Sequence, residues 1–447
     1  MSPRGGIARR DAPAMTDQQS APIVVVGAGV AGLTAAAMLV AAGHDVVVYE
    51  ASDGVGGRVR TDRTADGYLV DRGFQVLLEG YPALRRHVDL DAIGCRPFDA
   101  GAHVWTGRRL TTLANPLAHP GAIVSDLTSD LMTTADKVKL ARFGVSAKLA
   151  AWKTARDAAG ALSRDISAED DLRQRGFSDR FIDTFARGFW GGITLDRSLA
   201  GSAGPLRFTL KMFLEGRAVL PVGGVQSAAE RLAFRLPPGA LRLNSRVERL
   251  TSELGRVTGV VVSGVQMPAR AVIVATDPVA GKALTRNPLY PTEWLGCVTV
   301  SLQSSRDPGL GKRLAVDGSG ALAVNHIAPL SAVQPVYAPP GRHLVAAVLL
   351  GDEAMALGDD ALVDRARGDL ARMIGHDATW WQPVAIARVP HSQYRQAPGL
   401  YGRLPSTRTT TPGLYLAGDA VVDSSVNGAM VSGELAAEAV VADLRGR

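Results

Sequence analysis

The first strong pattern along the chain is the apolar, β-branched run Ile23 to Val26, which suits a parallel strand covered on both faces. The loop Gly27-Ala28-Gly29-Val30-Ala31-Gly32 follows at once. From Val30 the apolar period becomes helical, with Leu33, Ala37 and Leu39-Val40 at core spacing and Gly43 as a C-cap before a second run, Val46 to Tyr49. The order predicts a β-α-β unit. Ala271 to Thr276 and Leu414 to Ala417 read as further buried strands, and the last leads directly into Gly418-Asp419.

The loop has a chemical reading. A backbone that turns at Gly27, approaches a ligand closely at Gly29 and packs helix on strand at Gly32 offers free N–H groups, including those of Val30 and Ala31, to a pyrophosphate at a helix N-terminus. Glu50 ends the second strand 18 residues after Gly32, where its carboxylate can accept both hydroxyls of an adenosine ribose, with Ala51 beside it. These features predict a dinucleotide site and leave NAD and FAD both open.

Composition narrows the class. A chain of 447 residues, 46% hydrophobic and 21% charged, suits an ordinary globular protein of two domains, and no apolar run approaches the roughly 18 residues of a membrane span. Cys95 and Cys297 are the only cysteines and lie far apart, and the eight histidines show no zinc-ligand spacing, so neither a disulfide framework nor a metal site is expected. The net charge of +6 is concentrated between Arg85 and Arg217, which hold 20 basic and 15 acidic residues, but no recognisable module gathers them for nucleic acid. Residues 1–21 read as a disordered extension: Arg4, Arg9 and Arg10 precede no apolar segment, Met15 is a second candidate start, and a cytoplasmic location is the default expectation.

After Glu50 the chain continues Ala51-Ser52-Asp53-Gly54-Val55-Gly56-Gly57-Arg58-Val59-Arg60-Thr61. Here it resembles the flavin amine oxidase, phytoene desaturase and protoporphyrinogen oxidase superfamily. The resemblance implies non-covalent FAD, since no cysteine follows Cys297 to form a thioether, and an α/β fold: a Rossmann-type FAD/NAD(P)-binding domain with a discontinuous α+β substrate domain. It assigns 22–80, 215–285 and 385–445 to the FAD domain, and 81–214 and 286–384 to the substrate domain. Gly56, Gly57 and Arg58 would meet the pyrophosphate, Arg58 by paired N–H donors. Gly73, Phe74 and Gln75, within Asp71 to Val76, would run beneath the isoalloxazine ring. Val247 would contact the adenine through its backbone. Asp419, after Gly418, would accept from a ribityl hydroxyl, and the run from Asn427 through Ala429 would open a helix aimed at the N1 edge of the flavin.

The superfamily's amine oxidases usually carry a lysine on a substrate-domain strand. The comparable run here, Leu295 to Ser301, has Val300 at the aligned position and no Lys between Lys282 and Lys312. That departure favours a dehydrogenase or desaturase, taking a hydride from a lipophilic, isoprenoid-like molecule onto flavin N5, over an amine or polyamine oxidase using oxygen. A non-enzymatic lipid carrier like the GDP-dissociation inhibitors is the alternative from another class; Glu50, Gly56-Gly57-Arg58 and Gly418-Asp419 argue against it. No catalytic side chain is assigned, although His391, Tyr394 and Tyr401 lie upstream of the C-terminal motif. The aromatic stretch Phe177 to Arg217 suits a pocket or a core equally. Lys137 to Arg156, six basic residues with no acid, raises peripheral contact with an anionic membrane, against a plain solvated surface. The oligomeric state is left open.

Overall fold

The computed structural model describes residues 20–113 and 131–446, so the extension expected at 1–21 lies outside the described residues except for Ser20 and Ala21. A five-stranded sheet runs in the order Leu241–Arg242, Val46–Tyr49, Ile23–Val26, Ala271–Val274 and Leu414–Leu416, parallel at every pairing. Ile23, Val25, Val46, Val48, Ala271 and Ile273 are buried on one face beneath the helices Val30–Ala41 and Val426–Arg445. Val24, Val26, Val272 and Val274 are buried on the other, with Val257, Val260 and Val262 of an antiparallel meander. Burial on both faces is what the unbroken apolar runs require, because alternate side chains of a strand point to opposite faces.

The other large sheet has seven strands, in the order Gln382–Tyr394, Trp294–Ser304, His343–Leu350, Val324–Ala328, Leu314–Asp317, Ala102–Trp105 and Leu110–Leu113. All its pairings are antiparallel except the one between Leu314–Asp317 and Ala102–Trp105. Two expected boundaries shift. Gln382–Tyr394 pairs with Trp294–Ser304 from Gln382 to Tyr394, so a junction at 385 would cut a continuous strand. Ala83, Leu84, Val88 and Ile93 pack into the core of the parallel sheet, so a junction at 81 would detach part of that core.

Within the expected aromatic stretch, Phe177, Phe181, Phe185 and Phe189 form a chain of ring contacts at 4.6, 5.7 and 5.1 Å. The first three are buried, which makes them core, while Phe189 stays partly open.

Asp71 joins three otherwise separate segments. Its buried carboxylate accepts from the Thr61 hydroxyl at 2.5 Å, the Val225 N–H at 3.2 Å and the Tyr337 hydroxyl at 3.0 Å. Burial pushes its pKa up to about 6 despite these donors, and burial does the same to Asp423, also up to about 6. A carboxyl whose pKa is raised by folding binds its proton more tightly in the folded state, so it adds stability as pH falls from above 6 toward 4. Shifts of about two units are worth on the order of 2–3 kcal/mol per group. Asp71→Asn keeps an acceptor for Thr61 and Val225 and gives Tyr337 a donor. Urea denaturation of this variant between pH 7 and 4 should lose about half of the stabilisation that these two groups give the wild type on acidification; an unchanged pH slope would contradict the assignment.

Candidate functional site

The glycine loop combines positions demanded by the fold with one that the fold leaves free. Gly27 has φ +104°, and a Cβ there would lie 2.8 Å from the Ala275 carbonyl oxygen; a Cβ on Gly32 would lie 2.1 Å from the Gly27 oxygen. Both must be glycine for strand, loop and helix to close. Gly29 differs. Its φ of −71° is open to any residue, and an added Cβ would meet no atom of the described residues within 4 Å. Nothing among the described residues requires a glycine at Gly29, and the space a side chain would fill is open to a ligand. It caps the helix Val30–Ala41, whose buried opening residues Val30, Ala31 and Gly32 present first-turn N–H groups with no intrahelical acceptor. A pyrophosphate fits that open, positively polarised approach.

Glu50 has two engagements in the fold. Its Oε2 accepts the Ala28 N–H at 2.7 Å, and its Oε1 accepts the Ser52 N–H and hydroxyl at 2.8 Å each. The carboxylate thereby clips loop to strand, and Oε2 keeps a second lone pair for a ribose hydroxyl. Ala51 is exposed beside it. The second glycine motif lies against the first: the Gly56 N–H donates to the Ala28 carbonyl at 2.9 Å, and a Cβ on Gly57 would come 3.5 Å from the Gly29 Cα. Val247 is buried in the core cluster that also holds Val24, Val26 and Tyr49, while Ser245 just before it donates its N–H to the Glu50 carbonyl at 2.7 Å.

Arg58 departs from the simple expectation of a pyrophosphate partner. Its Nη2 donates to Asp419 Oδ1 at 2.6 Å and its Nη1 to the Ser392 carbonyl at 3.1 Å. Two expected cofactor residues, 361 positions apart, thus pair with each other. Burial works against the guanidinium's charge, but the Asp419 carboxylate outweighs it and holds the Arg58 pKa above its ordinary value. Asp419 also accepts from the Ser424 hydroxyl at 3.2 Å. Gly418, at φ +126°, donates its N–H to Ser432 Oγ at 2.7 Å, and Tyr394 donates its hydroxyl to the Asp419 carbonyl at 3.1 Å.

Two expected positions on the C-terminal helix also carry structural tasks. The buried Asn427 accepts the Ala83 N–H at 3.0 Å and donates to the Lys153 carbonyl at 2.8 Å, so its side chain is committed to joining segments. Ala429 is buried and donates its N–H to the Ser425 carbonyl at 2.9 Å. Ser425 caps the helix through the Gly428 N–H at 2.8 Å, which leaves the backbone N–H groups of Val426 and Asn427 as the first-turn donors. Tyr401 is buried and bonded to Gln396 at 2.9 Å, and His391 is exposed against Trp294, so neither stands out as a catalytic group.

The segment around Phe74 meets the seven-stranded sheet. Gly73 has φ +93°, and a Cβ there would lie 3.4 Å from Val389. Phe74 donates its N–H to Thr299 Oγ1 at 3.1 Å, and Gln75 donates Nε2–H to the Arg58 carbonyl at 2.7 Å. Leu195, Cys297 and Val348 form an apolar wall with Phe74, Leu295, Leu350 and Val389 packed on it.

Val300, aligned with the amine-oxidase lysine, is on the wrong face. It is buried with Val298 and Leu302 under the helix Asp359–Ile374. Side-chain alternation puts Cys297 and Thr299 toward Phe74 instead, and neither is a lysine. His326, missed in the sequence, also faces this wall, its ring centroid 5.2 Å from that of Phe74. A lone histidine in an apolar strand carries no periodic signal that could have singled it out.

The model of the family of flavin containing amine oxidoreductases matches residues 30–441. The chain belongs to that family. It is an FAD-dependent oxidoreductase, and its FAD is held non-covalently. Across 94% of its length it is 24% identical to the 15-cis-phytoene desaturase of Solanum lycopersicum, covering 78% of that protein. It is also 24% identical, again across 94% of its length, to the zeta-carotene desaturase of Synechocystis sp., covering 97% of it. A putrescine oxidase solved with putrescine bound shares the fold, with a TM-score of 0.69 at 18% identity over 94% of this chain and 99% of that one.

The FAD family's glycines separate by substitution. Gly29→Val should fold with an unchanged thermal melt and bind FAD at least about tenfold more weakly, measured by equilibrium dialysis of the refolded apoprotein, because the new side chain enters only the ligand's space. Gly32→Ala should instead lose about 1–3 kcal/mol of stability or more, by forcing a Cβ against the Gly27 carbonyl. Full FAD affinity in Gly29→Val would contradict the placement of the pyrophosphate.

Proposed function

We propose that this flavoenzyme is a dehydrogenase or desaturase of a lipophilic, isoprenoid-like small molecule held against the apolar wall that the Phe74 segment and the seven-stranded sheet form together. The observation that carries the reading is the character of that wall. Leu195, Leu295, Val348, Leu350 and Val389 line it, and the Trp294–Ser304 strand turns Cys297 and Thr299 toward it where a lysine would serve an amine oxidase. Burial pushes the Cys297 thiol's pKa above its ordinary value, so it is a neutral group at pH 7. Bound flavin would supply the two-electron acceptor, at the oxidation level of a hydride removed from a substrate carbon.

The chain's own contribution to such a reaction is orientation and exclusion of water. Gly73 brings the backbone to the sheet without a side chain between, Thr299 holds the Phe74 N–H, and Gln75 ties the segment to Arg58. The two desaturase relatives, which act on 15-cis-phytoene and zeta-carotene, support an isoprenoid substrate class. Membership of a flavin family argues against the non-enzymatic carrier.

The test is anaerobic reduction of the purified yellow protein, followed by timed reoxidation. The reading predicts slow reoxidation by oxygen and fast reoxidation by a soluble quinone. Rapid peroxide formation with putrescine or another amine would replace it with the amine-oxidase reading.

Peripheral membrane contact is a second part of the proposal. The helix Thr134–Leu149 exposes Val138, Val145 and Leu149 by 48, 60 and 82%, one stripe at helical spacing beside Lys137, Arg142 and Lys148. Sedimentation with anionic liposomes at low salt should carry the protein down, and Leu149→Glu should weaken this several-fold. No sedimentation at low salt would end the idea.

A further inference from the structure

His326 sits in the strand Val324–Ala328 and is 5% exposed. Its partner in register on the next strand is Val348, a member of the apolar wall, and its ring lies against Phe74. Its Nδ1 lies 3.0 Å from Asn325 Nδ2. Its Nε2 is buried and meets no hydrogen-bond partner among the described residues. In an apolar surrounding an unpaired polar group is costly, so its retention calls for an explanation.

The direction of that group's bonding is decided by its neighbours. Asn325 Nδ2 donates one hydrogen to the Gly188 carbonyl at 3.1 Å, which leaves its second for His326 Nδ1. The Asn325 Oδ1 faces Arg197 Nη1 at 3.4 Å, and Arg197 is itself held by Asp317, at 3.1 Å to both Oδ2 and the carbonyl. Turning the amide over would set oxygen against the Gly188 carbonyl and NH2 against a guanidinium, so the orientation is locked. His326 Nδ1 is therefore an acceptor, and the ring proton is on Nε2. Gly192 makes room for the arrangement: a Cβ there would lie 2.6 Å from Asn325 Nδ2 and 3.1 Å from His326 Nδ1. The helix Arg187–Thr194 closes the Nδ1 side, and Nε2 is on the far edge of the ring. Burial also drives the His326 pKa down to about 4, so the ring is neutral at physiological pH and works as a donor rather than as an acid or base.

We propose that His326 presents a fixed Nε2–H to an oxygen acceptor on the substrate, which makes the substrate an oxygenated apolar molecule, a ketone, ether or ester, rather than a pure hydrocarbon. The inference rests on the reading of the wall as the site of a lipophilic substrate, and adds to it one polar handle with a defined sense. A neutral donor in an apolar wall selects a neutral oxygen, because a carboxylate would be left there without a counter-charge.

Equilibrium dialysis of the FAD-loaded protein against geranylacetone, an isoprenoid ketone, and farnesene, an isoprenoid hydrocarbon, tests this without requiring turnover. The ketone should bind roughly tenfold more tightly, the discrimination that one buried neutral hydrogen bond gives. His326→Phe should bring the two within about twofold, with FAD content and melting temperature unchanged. Asn325→Asp should draw the ring proton to Nδ1, turn Nε2 into an acceptor and transfer the preference from the ketone to the alcohol farnesol. Should His326→Phe lose FAD, the wild-type imidazole decides by 15N NMR: the Nε2–H signal should move when geranylacetone is added, and an unmoved signal overturns the proposal. Equal affinity of wild type for ketone and hydrocarbon, including no binding of either, also overturns it, as does a ketone preference that survives in folded His326→Phe. Anaerobic flavin reduction judges the oxidoreductase reading separately, since reduction by a hydrocarbon with no ketone preference would leave that reading standing and remove this one.

Discussion

Contact of backbone with backbone around the first glycine loop sets the geometry on which the rest of the structure depends. Gly32 passes within a Cβ radius of the Gly27 carbonyl, Gly27 does the same at Ala275, and Gly57 lies against the Gly29 Cα. Gly433 extends the set, since a Cβ there would lie 2.3 Å from the Ala31 carbonyl, so the C-terminal helix can close onto the loop helix only at a residue without a side chain. A packed interior tolerates little adjustment, and each of these contacts places the next element. The result is a helix N-terminus fixed in position before any ligand arrives, which is the condition for holding a pyrophosphate with little reorganisation.

Charge is distributed around this frame with a division of labour. Glu50 and Asp419 belong to opposite ends of the chain, and each is engaged by donors: Glu50 by Ala28 and Ser52, Asp419 by Arg58 and Ser424. Both keep acceptor capacity for hydroxyl groups. Arg58 links the second glycine motif to the C-terminal one, and its positive charge is sustained by the carboxylate it meets. Burial moves Asp71 and Asp423 toward the neutral form while they bind segments together.

The seven-stranded sheet separates packing from chemistry by its two faces. Val298, Val300 and Leu302 anchor one face under a helix, and Cys297 and Thr299, one residue out of phase, reach the Phe74 segment. The polar chain from Asp317 through Arg197 and Asn325 to His326 lies next to an otherwise apolar wall. Its effect is to orient one imidazole without setting a charge against that wall.

Much of this was legible in the chain itself. The unbroken runs at Ile23 to Val26 and Ala271 to Val274 announced strands buried on both faces, and the glycine spacing with Glu50 announced a dinucleotide, because local backbone demands and side-chain periodicity are written in consecutive residues. The motifs at Gly56 to Arg58 and Gly418-Asp419 extended that to FAD by resemblance. Other features depended on which distant residues meet. Arg58 pairs with Asp419 across 361 positions, Asn427 is committed to Ala83 and Lys153, and the register of one strand turns Val300 away and Thr299 toward the Phe74 segment. A shift of one residue in a strand exchanges its faces, so no alignment of motifs could decide that point. Sequence by itself determined the cofactor and the sheet that carries it; tertiary structure decided which side chains remain free to face a substrate, because a side chain's availability is set by partners that only folding brings to it.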